Sequence, residues 1–361
     1  MVMAGTGPSS AHAPWRRPVR LMIVDDSLVA RTALGRMVGS SDDLEVVAGA
    51  STAESALDVL RRCTVDVILL DLDMPGMGGL AALPEIVARA NGARILVVSS
   101  FTVDGAEQTL AALSLGAADT LPKPDVRSSR EAYRQTLLAK IRELGSADAE
   151  IAPKPRSTHA MRPILRKRPG LLAIGASTGG IHALTCLFEA MPRRLGIPIL
   201  VTQHLPSTFM PAFARQLASA SGYETVLAQE GMPLPPDRIV VAPGDAHLTV
   251  QSQSGQLSVH LDRSRSESGC MPSVDWMFGS LAKEVGNDAC GVVLTGMGRD
   301  GVSGAASLVA AGGTIIAQDE ASSAVWGMPR AIVEAGLASA ILPPVAIARH
   351  IADSVGVAPC R

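Results

Sequence analysis

Three polar residues in the C-terminal half, Ser177, His204 and Asp300, are of the types that nucleophilic acyl transfer requires, and each stands at or just beyond the end of an apolar run. A serine hydroxyl attacks a carbonyl only when a neighbouring base removes its proton, and that base needs an acid to fix its tautomer. Ser177 lies in GASTGG at 175–180. That string permits a pyrophosphate cradle, a G-x-S-x-G nucleophile elbow, or a packing turn capped by Ser177 or Thr178. The dinucleotide reading fares badly, because the next strand ends in His204 and not in an acid. A reductase pair of tyrosine and lysine four apart is also missing: Tyr133 and Tyr223 are followed by Leu137 and Leu227.

Among the histidines, His12 and His159 fall in tail and linker, His350 in the final helix, and His260 in a hairpin, where all four read as surface or packing residues. His182 follows the serine on its own helix and points away from it, and His247 is held in reserve. His204 ends ILVTQH, the strand directly after the elbow, so parallel pairing brings it to the same sheet edge as Ser177. The acid comes from LTGMGRDG, where Asp300 also suits a helix N-cap; Asp245 and Asp275 compete less well. Ser177, His204 and Asp300 then serve as nucleophile, general base and orienting acid. The amides of Thr178 and of the loop near Met297 are expected to form the oxyanion hole. Their order along the chain differs from the Ser, Asp, His order of α/β-hydrolases.

A second constellation sits in the N-terminal half. Asp25 and Asp26 end the first strand and Asp71 the third, at the carboxyl edge where open parallel sheets bind ligands. Converging carboxylates repel, and a hard divalent cation such as Mg²⁺ neutralises them while leaving room for phosphate. Ser99 and Lys123, after the fourth and fifth strands, offer a hydroxyl and a cation to phosphoryl oxygens. Simple helix capping accounts for Ser27 and Asp26 but not for Asp71 with Lys123.

The elements that must position these residues alternate. VRLMIV, LEVVAG, VDVILL, ARILVV and DTL read as strands, with helical spacing near 27–39, 53–63, 79–90 and 105–115. A further helix opens on the capping box Ser128-x-x-Glu131 and ends near Gly145. This pattern predicts a doubly wound parallel sheet over 19–145. The first 18 residues, rich in Ala, Gly, Pro and Ser, are expected to be a disordered extension, and 146–168 a solvated linker: KPRSTHAMRPILRKR holds six Lys or Arg, no acid and two prolines. From 169 to 361, LLAIGAS, IPILVTQH, RIVVAPG, GVVLTGMG and GTIIAQ predict a second parallel α/β sheet, with HLTVQSQSGQLSVHL as a β-hairpin excursion.

A net charge of −2 gives no pull toward nucleic acid or membrane. Five scattered cysteines (Cys63, Cys186, Cys270, Cys290, Cys360) read as reduced thiols, and no apolar run is long enough to span a bilayer. The expected location is the cytoplasm.

IVDDS, LLDLDMPGMGGL, VVSSFT and LPKP resemble the two-component receiver family. That resemblance implies a flavodoxin-like fold, Asp71 as phosphoacceptor, and a sensor histidine kinase as phosphodonor. It also implies Mg²⁺ bound by Asp25, Asp26, Asp71 and the Asp73 carbonyl, with Ser99 and Lys123 as switch residues and a cis bond before Pro124. Gly78 and Thr120 depart from the pattern, which usually has an acid and an aromatic residue there. IGASTGG, TQHLP, VVAPGDAHL, PSVDWMFGSLA, VVLTGMGRDG and QDEASSAVWGMPRA resemble the chemotaxis protein-glutamate methylesterase/glutamine deamidase family (CheB). This second resemblance implies a Rossmann-like three-layer domain with the triad Ser177, His204 and Asp300, and needs no cofactor for ester hydrolysis. It makes methyl-accepting chemoreceptors the substrate and the only link to the membrane. A receiver-linked hydrolase or a binding module of a parallel sensory pathway is the alternative.

Overall fold

The computed structural model describes residues 17–99, 103–124, 129–146 and 168–356. The expected extension over 1–18 and linker over 146–168 lie almost wholly outside the described residues, as does Ser128.

The N-terminal unit runs β1 (Val19–Val24), α1 (Leu28–Val38), β2 (Leu44–Ala50), α2 (Ala53–Leu60), β3 (Val67–Leu70), α3 (Gly79–Arg89), β4 (Arg94–Ser99), α4 (Val103–Ser114), β5 (Asp119–Pro122) and α5 (Arg130–Ser146). Its strands pair in parallel, as the alternating pattern predicts, in the order β2-β1-β3-β4-β5. β3 is buried along its whole length, so both faces of the sheet need helices and the strand reads as one apolar run. Ser27 caps α1 by accepting from the Ala30 amide, and Thr52 caps α2 from Ser55. At α5 the Ser129 hydroxyl accepts from Ala132 at 3.4 Å.

The C-terminal unit contains β6 (Leu171–Ala176), α6 (Gly180–Glu189), β7 (Ile199–Gln203), α7 (Met210–Ser221), β8 (Glu224–Leu227), β9 (Arg238–Val241), the hairpin β10 (His247–Gln253) and β11 (Gln256–Asp262), and α8 (Val274–Glu284). It continues through β12 (Ala289–Val293), α9 (Val302–Ala310), β13 (Thr314–Gln318), α10 (Met328–Glu334), β14 (Ala340–Leu342) and α11 (Pro344–Val355). Seven parallel strands take the order β14-β13-β12-β6-β7-β9-β8. The sequence pattern misses β8 and β14, which are short and partly exposed, so neither carries a legible apolar run.

β6 is central, with β7 on one side and β12 on the other, and the chain leaves it in one direction and returns from the other. Such a switch point opens a crevice at the carboxyl ends of the strands. The loops after β12, β6 and β7 therefore converge by topology alone.

The two units share buried apolar surface. Leu110 and Leu113 of α4 belong to the same core as Ile181, Leu184 and Phe213 of α6 and α7. On the other side, Val325 joins the N-terminal core, with Met297 and Ala324 packed against it.

One close approach fixes the site from behind. A Cβ on Gly304 of α9 would lie 2.5 Å from the Asp275 carbonyl oxygen and 2.8 Å from Phe278 Cβ, so only glycine lets α9 seat on α8. Gly304→Ala is expected to destabilise the protein by about 1–3 kcal/mol through overpacking. A denaturant midpoint lowered without a change in slope is the reading that checks it.

Candidate active site and phosphoacceptor site

The register of β6 against β7 pairs Ala176 with Gln203, and the His204 amide donates to the Ala176 carbonyl at 3.0 Å. Ser177 and His204 thus follow adjacent strands at the same level. Ser177 is further held on β12's side, its amide donating to the Thr295 carbonyl at 3.0 Å, while the Gln203 side-chain amide donates to the Ser177 carbonyl at 2.9 Å. Both residues line a cavity of about 300 Å³. Asp300 Oδ2 accepts from His204 Nε2 at 2.8 Å, so the nominated acid and base do meet. Among the described residues, none hydrogen-bonds the Ser177 hydroxyl, and a catalytic serine often tightens onto its base only with substrate present.

Asp300 is buried, and its role as a cap differs from the one its sequence position suggests. Gly301 caps α9, whereas Asp300 caps the neighbouring helix α8 by accepting from the amides of Val274 at 2.7 Å and Asp275 at 3.4 Å. The hydroxyls of Ser273 and Ser268 donate to Oδ1 at 2.6 and 3.1 Å. Burial opposes its charge, but the His204 bond, Ser273 and the Val274 amide outweigh it and hold the carboxyl well below the usual range. Burial likewise opposes the charge on His204, yet the hydrogen bonds with Asp300 and Cys270 raise its pKa to about 9.

The competing residues are occupied elsewhere. His247 stacks on Trp276 with centroids 4.8 Å apart, accepts from the Ser273 amide and bonds the Ser264 carbonyl. Asp245 lies 3.7 Å from Arg263 and is largely exposed. Asp275 accepts from the Gly304 amide at 2.8 Å. His182 faces the N-terminal unit, where Nδ1 meets the Ser114 carbonyl at 2.7 Å. Met297 is near the crevice, its sulfur 3.1 Å from the Thr178 hydroxyl.

The N-terminal unit covers this crevice. The Gly179 amide, at the entrance to α6, donates to the Ala118 carbonyl at 2.6 Å, and the Thr178 hydroxyl donates to Asp119 at 3.1 Å. Lys140 holds the same Asp119 oxygen at 2.5 Å. Around the rim, Arg94 donates to the Ser323 carbonyl, Arg215 pairs with Glu107 at 2.6 Å, and Gln216 donates to the Leu110 carbonyl at 3.2 Å. Ala118 and Asp119 carry no local signal in the sequence, because their significance depends on a partner nearly 60 residues away.

At the carboxyl edge of the N-terminal sheet, Asp25, Asp26 and Asp71 each bring a carboxylate oxygen within 4.8 Å of the others. Lys123 Nζ donates to Asp71 Oδ2 at 2.6 Å and lies 3.9 Å from Asp25. Burial, and then the charges of Asp71 and Asp26, raise Asp25 above the ordinary carboxyl range despite the Ser27 amide and Lys123. Its Oδ2 is buried without a hydrogen-bond partner. An all-oxygen set with an orphaned, buried carboxylate oxygen fits Mg²⁺ well. The Asp73 amide donates to Asp71 at 3.2 Å. Ser99 differs from expectation: its hydroxyl is paired with Thr109 of α4 at 2.7 Å. Among the described residues the cis peptide bond is Met271–Pro272 and not the bond before Pro124, so the ion pair with Asp71 is what directs the Lys123 ammonium. Gly78 has φ +72°, a conformation that an aspartate would adopt only with strain.

Comparison with known proteins matches these two units to two families. The CheB methylesterase family covers residues 172–351, and the response regulator receiver domain covers 21–133. A protein-glutamate methylesterase/protein-glutamine glutaminase of Azospirillum brasilense is 38% identical over 366 residues, which is 92% of each chain. One from Caulobacter vibrioides is 43% identical over 342 residues, 93% of this chain and 98% of its own. The chain belongs to the CheB methylesterase family. The CheB methylesterase catalytic domain of Thermotoga maritima superposes with a TM-score of 0.50 at 34% identity, covering 51% of this chain and 98% of that one. No described helix is long and apolar enough to cross a membrane.

If His204 serves as the base, a pKa raised to about 9 keeps it largely protonated at neutral pH, and only the deprotonated imidazole could accept a serine proton. Deprotonation removes the block, so methyl ester hydrolysis by the unphosphorylated chain is expected to climb through pH 7 to 9 and then level off. A pH–rate profile corrected for the Ser177→Ala background checks this; a plateau already reached at pH 7 would contradict it.

Proposed function

We infer that the chain hydrolyses methyl esters of glutamate side chains on chemoreceptors, and deamidates glutamines there, under the control of its own receiver domain. The observation that carries the reading is the His204–Asp300 pair set beside Ser177 at a sheet switch point, with the receiver seated on the same loop.

In the proposed reaction Asp300 holds Nε2–H of His204, and Nδ1 acts as the base. Ser177 Oγ attacks the glutamyl carbonyl as its proton passes to His204. The oxyanion is stabilised by backbone amides at the entrance of α6, with Thr178 and the loop at Met297 as donors. The receiver's Ala118 carbonyl on the neighbouring Gly179 amide supports this assignment, because a helix N-terminus that donates to one carbonyl oxygen can donate to another. His204 then protonates the leaving methoxide, and methanol departs. Water, deprotonated by His204, resolves the acyl-enzyme to the glutamate carboxylate. A glutamine follows the same course with ammonia leaving.

The receiver assignment gives Asp71 the role of phosphoacceptor, with a sensor histidine kinase as the physiological donor. Mg²⁺ held by Asp25, Asp26, Asp71 and the Asp73 carbonyl would offset charge on the transferring phosphoryl group. Lys123, already on Asp71, is positioned to move onto a phosphoryl oxygen. Ser99 must leave Thr109 to do the same, and Thr109 belongs to α4, the helix that carries Glu107 and Leu110 to the esterase. Phosphorylation thereby withdraws a hydrogen bond from the element that docks the two domains.

Ser177→Ala is expected to lose at least about a thousandfold in methanol release from methylated receptor membranes. Retained release would remove the nucleophile. Asp119→Ala, which frees Thr178, is expected to raise the unphosphorylated rate roughly tenfold, the equivalent of one charge-assisted hydrogen bond. The same variant should respond less to a small phosphodonor; an unchanged basal rate would show that this contact does not restrain the enzyme.

A further inference from the structure

The triad's acid and base have a third neighbour that ester hydrolysis does not require. Cys270, in the loop between β11 and α8, lines the same cavity as Ser177 and His204. One donor atom from each of His204, Cys270 and Asp300 lies within 4.8 Å of the other two. The loop is tied down, since the Ser266 hydroxyl donates to the Cys270 carbonyl at 2.7 Å and Ser268 bridges to Asp300. Nothing in the spacing of the cysteines along the sequence signals this grouping, because it arises only when the β11–α8 loop folds over the strand ends.

An imidazole, a thiolate and a carboxylate are the donors that Zn²⁺ prefers, and three protein ligands with an open fourth position are the usual form of an accessible zinc site. The cavity of about 300 Å³ leaves room for water at that fourth position. The imidazole and carboxylate of the set already stand 2.8 Å apart, Nε2 to Oδ2. The acceptor site of the receiver is different in kind: it is built from carboxylates alone and suits a hard ion such as Mg²⁺.

We propose that His204, Cys270 and Asp300 form an inhibitory site for Zn²⁺ and other thiophilic divalent ions. On binding, the Cys270 thiol and the protonated His204 imidazole each lose a proton to solvent, and the freed sulfur and ring nitrogen join the Asp300 carboxylate on the ion. His204 then has no free role as base, and Asp300 no longer orients it. The inhibitory consequence rests on the triad reading above, whereas occupancy of the site does not.

The test uses the full-length unphosphorylated chain in excess Mg²⁺, which keeps the receiver's acidic site filled, titrated with Zn²⁺ for activity and Cd²⁺ for spectroscopy. Zn²⁺ is expected to suppress methanol release, and Cd²⁺ to give an ultraviolet thiolate-to-metal charge-transfer band. Cys270→Ser and Cys270→Ala, each compared with its own metal-free rate, should need at least about tenfold more Zn²⁺ for the same inhibition and should lose the band. Inhibition and band both unchanged in these variants would overturn the proposal, as would the absence of both in the parent chain. A band that requires Cys270 and His204, with hydrolysis unaffected by the metal, would support the site and instead overturn the triad reading.

Discussion

A carboxylate can stay charged inside a protein only if donors replace the water it has lost. Asp300 is where this constraint falls, and much of the C-terminal domain is arranged around it. The N-terminus of α8 supplies two amides, Ser273 and Ser268 supply hydroxyls, and His204 supplies a ring N–H. Meeting that demand fixes α8 against the strand ends, which in turn requires α9 to seat closely at Gly304. The same bonds orient the imidazole toward the crevice where Ser177 stands. Stability and chemistry therefore share one set of interactions, and the tight pairing leaves His204 more basic than a neutral-pH catalyst would want.

The receiver exploits the other electrostatic feature of the crevice, the free amides at the start of α6. Its Ala118 carbonyl and Asp119 carboxylate lie at the amino-terminal end of β5, opposite the edge that carries Asp71. Phosphorylation thus has to act along the length of the sheet. The Ser99–Thr109 bond gives a route, because Ser99 ends β4 near the acceptor and Thr109 lies on α4, whose later turns touch α6 and α7. The coupling is carried by a helix with two sets of partners, one at each end of the path.

Much of this was legible in the sequence because strand ends in parallel sheets are where chemistry collects. Ser177, His204, Asp300, Asp71 and Lys123 could be nominated from apolar runs and the polar residues that end them. What escaped was contact between distant segments. The Thr295 hydroxyl and the Gln203 side-chain amide brace the serine loop by donating to its Thr178 and Ser177 carbonyls, and residue type does not reveal that. Asp119 looked like an ordinary strand start and Cys270 like a stray thiol, since their neighbours come from other loops. Ser99 was expected near the phosphoryl group, but the resting hydroxyl is satisfied by a threonine ten residues on. The strands β8 and β14 were too short and too exposed to show a pattern.

In the proposed mechanism the resting receiver blocks the entrance of α6, and phosphorylation of Asp71 lifts it. Amide hydrogen exchange over residues 177–184 of the full chain, followed with and without Mg²⁺ and a small phosphodonor, tests this directly. Faster exchange there on adding the phosphodonor, in step with faster ester hydrolysis and absent in Asp71→Asn, is the predicted result. Hydrolysis that accelerates while the segment stays equally protected would mean that the receiver does not restrain the enzyme by covering α6.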